Sequence, residues 1–411
     1  MKDGDATGGE PESEVPMQLP PFIHSNRLLN NLPLKVRTKL ETWTDHLNVL
    51  LAVQNPRVLK SMAPSALRGL FLQRGRNDIS VMQARHGVHF DFQYPADNQA
   101  MRALYEKAKK LQWNGSLDLP WNTSVDPMNP EIPLIGRDFV DWNQLAAYGL
   151  HFNPKERQDF LWKVCTWMLS QFLHGEQGAL MASAQVTEAT PIFDGKFYGA
   201  TQVMDEARHV EVFVRYLDDK MNRRYNINDN LFTIIDGLMT DARWDMKFLG
   251  MQILVEGLAL GAFSTLYRMT SEPLLKELLR RVIQDEARHV HFGLLSLKPL
   301  YTGGLTEKER QEREDWAFEV VVLMRNRFLA HELFEEGFSH RLSRHQWNQF
   351  MDEMPGMSLF RKVMFQRLVP NLRSIGLLTP RIMPQYEKMG LGEFVHLPSS
   401  DTMSEAEIVA A

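Results

Sequence analysis

The chain has one cysteine, Cys165, in 411 residues. A lone thiol cannot close an internal disulfide, and it removes cysteine-ligated zinc and iron–sulfur centres within one chain. A reducing compartment is therefore expected, with the cytoplasm as the default. An excess of charge is missing too: 46 Lys and Arg stand against 51 Asp and Glu, a net of −5. That balance, with no basic stripe interleaved with aromatics, argues against a nucleic-acid partner. No uninterrupted apolar run approaches the roughly 20 residues that span a bilayer, so no membrane association is expected. Strand-like alternation is scarce throughout.

What is present is helical periodicity. Composition is that of an ordinary globular protein, 44% apolar and 24% charged. Residues 1–25, rich in Gly, Asp, Glu and Pro at their start, read as a disordered lead-in rather than a signal peptide. Residues 26–150 read as a helical and loop extension packed on the main body, with a helix over Asn26–Val53. Asn153-Pro154-Lys155-Glu156 then opens a long helix, since proline suits a first helical position. Further helices are expected at about 193–221, 240–270, 272–297, 306–337 and 344–366. Residues 151–370 form the central bundle in this reading, and 371–411 a C-terminal extension that is loose from Pro398 onward. The fold class is all-α, a four-helix bundle with additional N- and C-terminal helices.

The chemistry lies in an internal repeat of period 80. Glu176 to Val210 align without a gap on Glu256 to Val290, and Asp205-Glu206-Ala207-Arg208-His209-Val210 recurs unchanged as Asp285-Glu286-Ala287-Arg288-His289-Val290. In each half a first glutamate precedes the glutamate of Asp-Glu-Ala-Arg-His by thirty positions. A helix running down and another returning place such residues at one level, with turns at Pro191 and at Ser271-Glu272-Pro273. Glu206 and His209, three apart, share a helix face. Two such halves converge Glu176, Glu206, His209, Glu256, Glu286 and His289, a donor set suited to a pair of iron or manganese ions. Asp205 and Asp285 are the acceptors expected to fix the far nitrogen of each imidazole, with Arg208 and Arg288 balancing them. A single Glu-x-x-His is usually a solvated helix face. Two matched copies, with Glu256 set among Ile253, Leu254, Val255, Leu258 and Leu260, are not, because an unpaired carboxylate there would be expensive.

These residues resemble the ferritin-like di-iron carboxylate oxygenases and oxidases. That superfamily includes multicomponent monooxygenase hydroxylases, acyl-carrier-protein desaturases, ribonucleotide reductase small subunits and arylamine N-oxygenases. The motif match covers about Trp162 to Leu300. The resemblance implies a ferritin-like bundle with two iron ions, manganese being an alternative. Glu176, Glu206 and His209 would serve one ion, Glu256, Glu286 and His289 the other, and one or two carboxylates would bridge. It implies dioxygen as co-substrate, a small organic or carrier-bound substrate, and electrons from a separate reductase or ferredoxin. Hydroxylation, N-oxygenation and desaturation all stay open, as do ferroxidase-type storage or sensing and a di-manganese or manganese–iron oxidase. The branch is unassigned. Phe213 stands where reductase subunits carry a radical tyrosine, Leu260 where monooxygenases place threonine, and Val282 where N-oxygenases add a histidine.

Beside the metals an apolar cavity lined by Phe172, Leu180, Phe213, Leu260 and Phe263 is expected. Gly257, Ala259, Gly261 and Ala262 either leave room for substrate or let helices approach closely. His174, His291, His86 and His89 read as structural or surface residues, and Trp113 and Trp121 as pins holding a loop to the bundle. Tyr198 and Tyr267 read as core packing. A homodimer is the prior for symmetric assembly.

Overall fold

The computed structural model describes residues 31–96 and 98–403, together with Leu29. The expected lead-in over 1–25 falls outside them. Among the described residues there is no strand. The N-terminal part carries α1 (Leu34–Ala52), α2 (Pro56–Ala66), α3 (Gln99–Lys110) and α4 (Trp142–Ala147). Helix α1 starts at Leu34, just after Pro33, within the longer span that periodicity suggests. α3 packs against the bundle, where Arg102 Nε donates to the buried Asp194 at 2.6 Å.

The bundle is two hairpins. Helix α5 (Pro154–Ala189) opens on a reciprocal cap: Asn153 accepts from the Glu156 N–H, and the Glu156 carboxylate accepts from the Asn153 N–H. It stops before Pro191, and α6 (Phe193–Tyr216) returns along it. After α7 (Asp229–Thr240), the second hairpin begins with α8 (Trp244–Phe248). That helix widens into a π-helical stretch, Leu249–Val255, and continues as α9 (Glu256–Met269). Helix α10 (Pro273–Gly303) returns, capped by the Glu272 carboxylate, which accepts from the Leu274 and Leu275 N–H groups. α11 (Glu307–Arg327), α12 (His331–Gly337), α13 (Arg344–Glu353), α14 (Pro355–Ser374) and α15 (Met383–Lys388) complete the fold.

Four expectations need correction. The span 306–337 is two helices, broken at Ala330, which takes a left-handed φ of 47°. The span 344–366 breaks at Met354-Pro355, because the residue before proline is pushed to extended backbone; Met354 has ψ 122°. Helix α7 fills most of the interval between the helices expected at 193–221 and 240–270, where the Asn-rich run from Asn222 to Asn230 reads as a break, because Asn228 caps the helix. The segment after Pro398 is also not loose as far as Met403: Ser399 and Ser400 are buried, and the Ser400 N–H donates to Asn371 at 2.8 Å.

Trp244–Met269 is the central core helix. By length and composition it could cross a membrane, yet 94% of its most apolar window is buried inside the fold. Its small residues serve close packing. A Cβ at Gly261 would lie 2.7 Å from the Met364 Cα on α14, so backbone fills the space beside this glycine.

Candidate metal centre

Each half of the repeat lays its carboxylates and imidazole on inward-facing helix positions. Glu176 comes from α5, Glu206 and His209 from α6, Glu256 from the first turn of α9, and Glu286 and His289 from α10. All six residues are buried, none more than 3% exposed. Their donor atoms form two groups that share two members. Glu176, Glu206, His209 and Glu286 make one, and Glu206, Glu256, Glu286 and His289 the other, all atoms within 4.8 Å of one another in each group.

The atom-level arrangement is specific. His209 Nδ1 lies 3.1 Å from Glu176 Oε2, 3.3 Å from Glu206 Oε2 and 3.1 Å from Glu286 Oε1. His289 Nδ1 lies 3.0 Å from Glu206 Oε1, 3.2 Å from Glu286 Oε2 and 4.0 Å from Glu256 Oε1. Glu206 and Glu286 thus each turn one oxygen to each imidazole. One ring N–H can satisfy one acceptor, not three, and Glu206 Oε2 and Glu286 Oε1 are buried with no hydrogen-bond partner. Orphaned anionic oxygens around a ring nitrogen are what a cation would satisfy. Hard carboxylates with imidazole suit iron or manganese. The donor set therefore suits a di-metal site, two irons or a pair that includes manganese.

The far side of each imidazole is held across the bundle. His209 Nε2 is 3.1 Å from Asp285 Oδ2, and His289 Nε2 is 3.3 Å from Asp205 Oδ2. Arg208 Nη2 bonds Asp205 at 2.5 Å and Asp285 at 3.0 Å, while Arg288 Nη2 bonds Asp285 at 2.5 Å and Asp205 at 3.3 Å. The two aspartates and two arginines close a buried ring of alternating charge beneath the imidazoles, leaving Nδ1 of each directed at the glutamates.

With protons as the only cations, the cluster divides its charge. Burial opposes a charged imidazole, but the surrounding carboxylates outweigh it and hold His209 and His289 protonated well above the usual range. Burial, and then the neighbouring Glu286 or Glu206 charge, pushes Glu176 and Glu256 well up. Glu206 is held well below the usual carboxylate range, because the imidazolium charges more than offset its burial. Glu286 is also lowered, against its burial and the Glu206 charge, with the charge of His289 foremost in pulling it down.

Sequence reasoning missed an amide pair. The buried Gln202 Nε2 lies 3.1 Å from Glu206 Oε1, 3.1 Å from Glu256 Oε1 and 3.0 Å from Gln252 Oε1, and Gln252 Nε2 donates back at 2.8 Å. The available signal was spacing: Gln202 and Gln252 each lie four residues before a clustered glutamate. Gln112 was missed as well; it donates to Asp205 at 3.0 Å and accepts from Arg208 at 2.8 Å. Trp113 Nε1 donates to Asp285 at 2.8 Å, and Trp121 Nε1 donates to the Gly115 carbonyl at 2.7 Å. His174 lies 2.8 Å from the Tyr225 carbonyl, and His86 lies 2.8 Å from Glu188. Tyr198 packs its ring on Phe292 at 4.7 Å, and its buried hydroxyl has no partner.

The residues expected to line an open cavity are largely packed on each other. Phe172 meets Phe263 edge to face at 4.8 Å and Phe213 at 6.2 Å, and Phe213 stacks with Phe263 at 5.7 Å. Leu260 is fully buried and Leu180 is half-buried. In this conformation the wall is an aromatic cluster beside Glu176.

No family model matches the chain, and no curated protein does. Among solved structures it is similar to an R2-like ligand-binding oxidase. One variant of that protein with an anaerobically reconstituted Mn/Fe cofactor is 17% identical, covering 67% of this chain and 98% of the other at a TM-score of 0.42. A second such variant is 18% identical, covering 68% and 98% at the same TM-score. The form with an aerobically reconstituted metal cofactor after photoconversion is 17% identical, covering 67% and 98% at a TM-score of 0.40.

Proposed function

We propose that this protein is a non-haem di-metal, dioxygen-dependent oxidoreductase. Its substrate is a small organic or carrier-bound molecule that it hydroxylates, N-oxygenates or desaturates, with electrons drawn from a separate reductase or ferredoxin. The observation that carries this reading is the sharing of Glu206 and Glu286 between two imidazole-centred groups, each glutamate turning one oxygen to each group. In this reading Glu176, Glu206, His209 and Glu286 would hold one ion, and Glu206, Glu256, Glu286 and His289 the other. Bound there, the metal pair supplies oxidation by dioxygen, chemistry that protein side chains cannot perform themselves.

The remaining groups have assignable tasks. Asp285 and Asp205 hold a proton on Nε2 of His209 and His289, which keeps Nδ1 free to ligate. Arg208 and Arg288 balance those aspartates where no water can. Gln202 holds the Glu256 carboxylate by a donated hydrogen bond. The cluster of Phe172, Phe213 and Phe263 excludes water from the Glu176 side, and its movement is the step that would admit substrate.

Two measurements test the reading. Purified protein reconstituted with ferrous iron, or with iron and manganese, should hold two metal ions per chain by elemental analysis. Reduced protein should consume dioxygen faster when an oxidisable substrate is added. Zero metal retention, or dioxygen uptake that no substrate among amines, aromatics and acyl thioesters accelerates, would leave the proposal without support.

A further inference from the structure

A cavity of about 730 Å³ lies between the α1–α2 turn, α11 and the α15 segment. Its size falls in the roughly 300–1,000 Å³ range of small-molecule sites. Val53, Pro56, Phe318, Val322 and Met389 give it apolar walls. Glu319 also lines it, is only 8% exposed, and makes no hydrogen bond or ion pair among the described residues.

The neighbouring groups do not answer that carboxyl. Arg381 is engaged by Glu314 at 2.6 Å and Asp315 at 2.8 Å. Asn55 donates its side-chain N–H to Asp315 at 2.8 Å. Lys388 is exposed at the lining, and Gln54 and Gln385 are uncharged. Burial, and then the Asp315 charge one helical turn away, pushes Glu319 up to about 7. The carboxyl is thus largely buried, has no protein partner among the described residues, and lines the cavity, where an entering cation would be its counter-charge.

We propose that this cavity is a ligand site for a small amphipathic organic cation, its ammonium group set against Glu319 and its apolar body against Phe318 and Val322. Arg381 is already paired with Glu314 and Asp315 and Lys388 is exposed, so an anion set against Glu319 would meet like charge, and a neutral alcohol would leave Glu319 without a counter-charge. The site stands apart from the metal reading, though its helix also packs on the second hairpin. Helix α11 also carries Trp316, which packs on Gly250 in the π-helical stretch leading to Glu256; a Cβ at Gly250 would lie 2.9 Å from its ring.

Isothermal titration of the full-length protein with hexylammonium, hexan-1-ol and hexanoate at pH 8 tests this. Hexylammonium should bind one per chain, about tenfold or more tighter than hexanol, the usual scale of a charge-assisted hydrogen bond, and hexanoate should not bind. Glu319→Gln should erase the preference for the amine, and lowering the pH to 5.5 should weaken amine binding while leaving hexanol unchanged. Val322→Trp fills the cavity from its apolar side and should abolish binding of both, with Glu319 intact. Equal affinity for amine and alcohol, a preference that survives in Glu319→Gln, or undiminished binding in Val322→Trp would overturn the proposal.

Discussion

Loading the centre with two divalent ions should expel about four protons per chain. The count follows from charge balance in a site that water cannot reach. Without metal, Glu206 and Glu286 are ionised, His209 and His289 carry protons, and Glu176 and Glu256 are held protonated by burial and by their neighbours. Two negative and two positive charges cancel. With two divalent ions bound, four carboxylates and two neutral imidazoles cancel four positive charges. Two imidazole protons and two carboxyl protons must therefore leave, because ligation needs deprotonated donors. Each expelled proton changes the binding constant about tenfold per pH unit, so the affinity for the pair should fall by up to about 10⁴ per unit of acidification where all four groups are protonated. Calorimetric titration of apoprotein with ferrous or manganous ion, in buffers of differing ionisation enthalpy, reads the proton number directly. Release of one proton or none, with two metals bound, would refute the charge assignment and with it the view of Glu176 and Glu256 as ligands.

The same titrations set the stability of the metal-free protein. An imidazole pKa raised on folding adds stability that is full below its unfolded value, about 6.5, and is lost as the pH climbs through the folded value. Apoprotein should thus melt at lower temperature as the pH rises above neutrality, while metal-loaded protein should not. Glu206→Gln or Glu286→Gln should lose both metals, and Glu176→Gln or Glu256→Gln mainly one, read as metal per chain by elemental analysis. Asp285→Asn removes the acceptor of His209, Arg208, Arg288 and Trp113, and should weaken metal binding about 10–100-fold in chelator competition. Asp45→Asn, which breaks a comparably buried pair with Arg344, should lower the melting temperature without touching metal affinity. Gly261→Ala should cost about 1–3 kcal/mol in denaturant unfolding, since its methyl would press on the Met364 backbone.

The arrangement of the aspartates explains why the centre could be read so far in advance. Asp205 precedes Glu206 by one residue and points to His289, on the other hairpin, while Asp285 points to His209. A repeat that places the same five residues on two facing helices makes each half the natural partner of the other. The supporting amides were less legible. Gln202 and Gln252 are fifty residues apart and sit in only one arm of each half, with Val282 and Phe172 at the matching repeat positions. The 80-residue repeat does not mark them; only their four-residue step to Glu206 and Glu256 does.

The sequence alone determined the four ligand-bearing helices, the six clustered side chains and the aspartates behind them. Those features follow from local spacing: a three-residue step fixes a helix face, and thirty residues carry the chain down and back to one level. Tertiary structure alone decided that Trp113 and Gln112 reach from a distant loop to Asp285 and Asp205, that backbone fills the space beside Gly261, and that Phe172, Phe213 and Phe263 close on one another. It also decided that Glu319, an ordinary helical glutamate in sequence, is left unpaired in a cavity. Such contacts join segments with no fixed separation along the chain. Their energies depend on how packed surfaces exclude water around each group, and a linear pattern does not encode that.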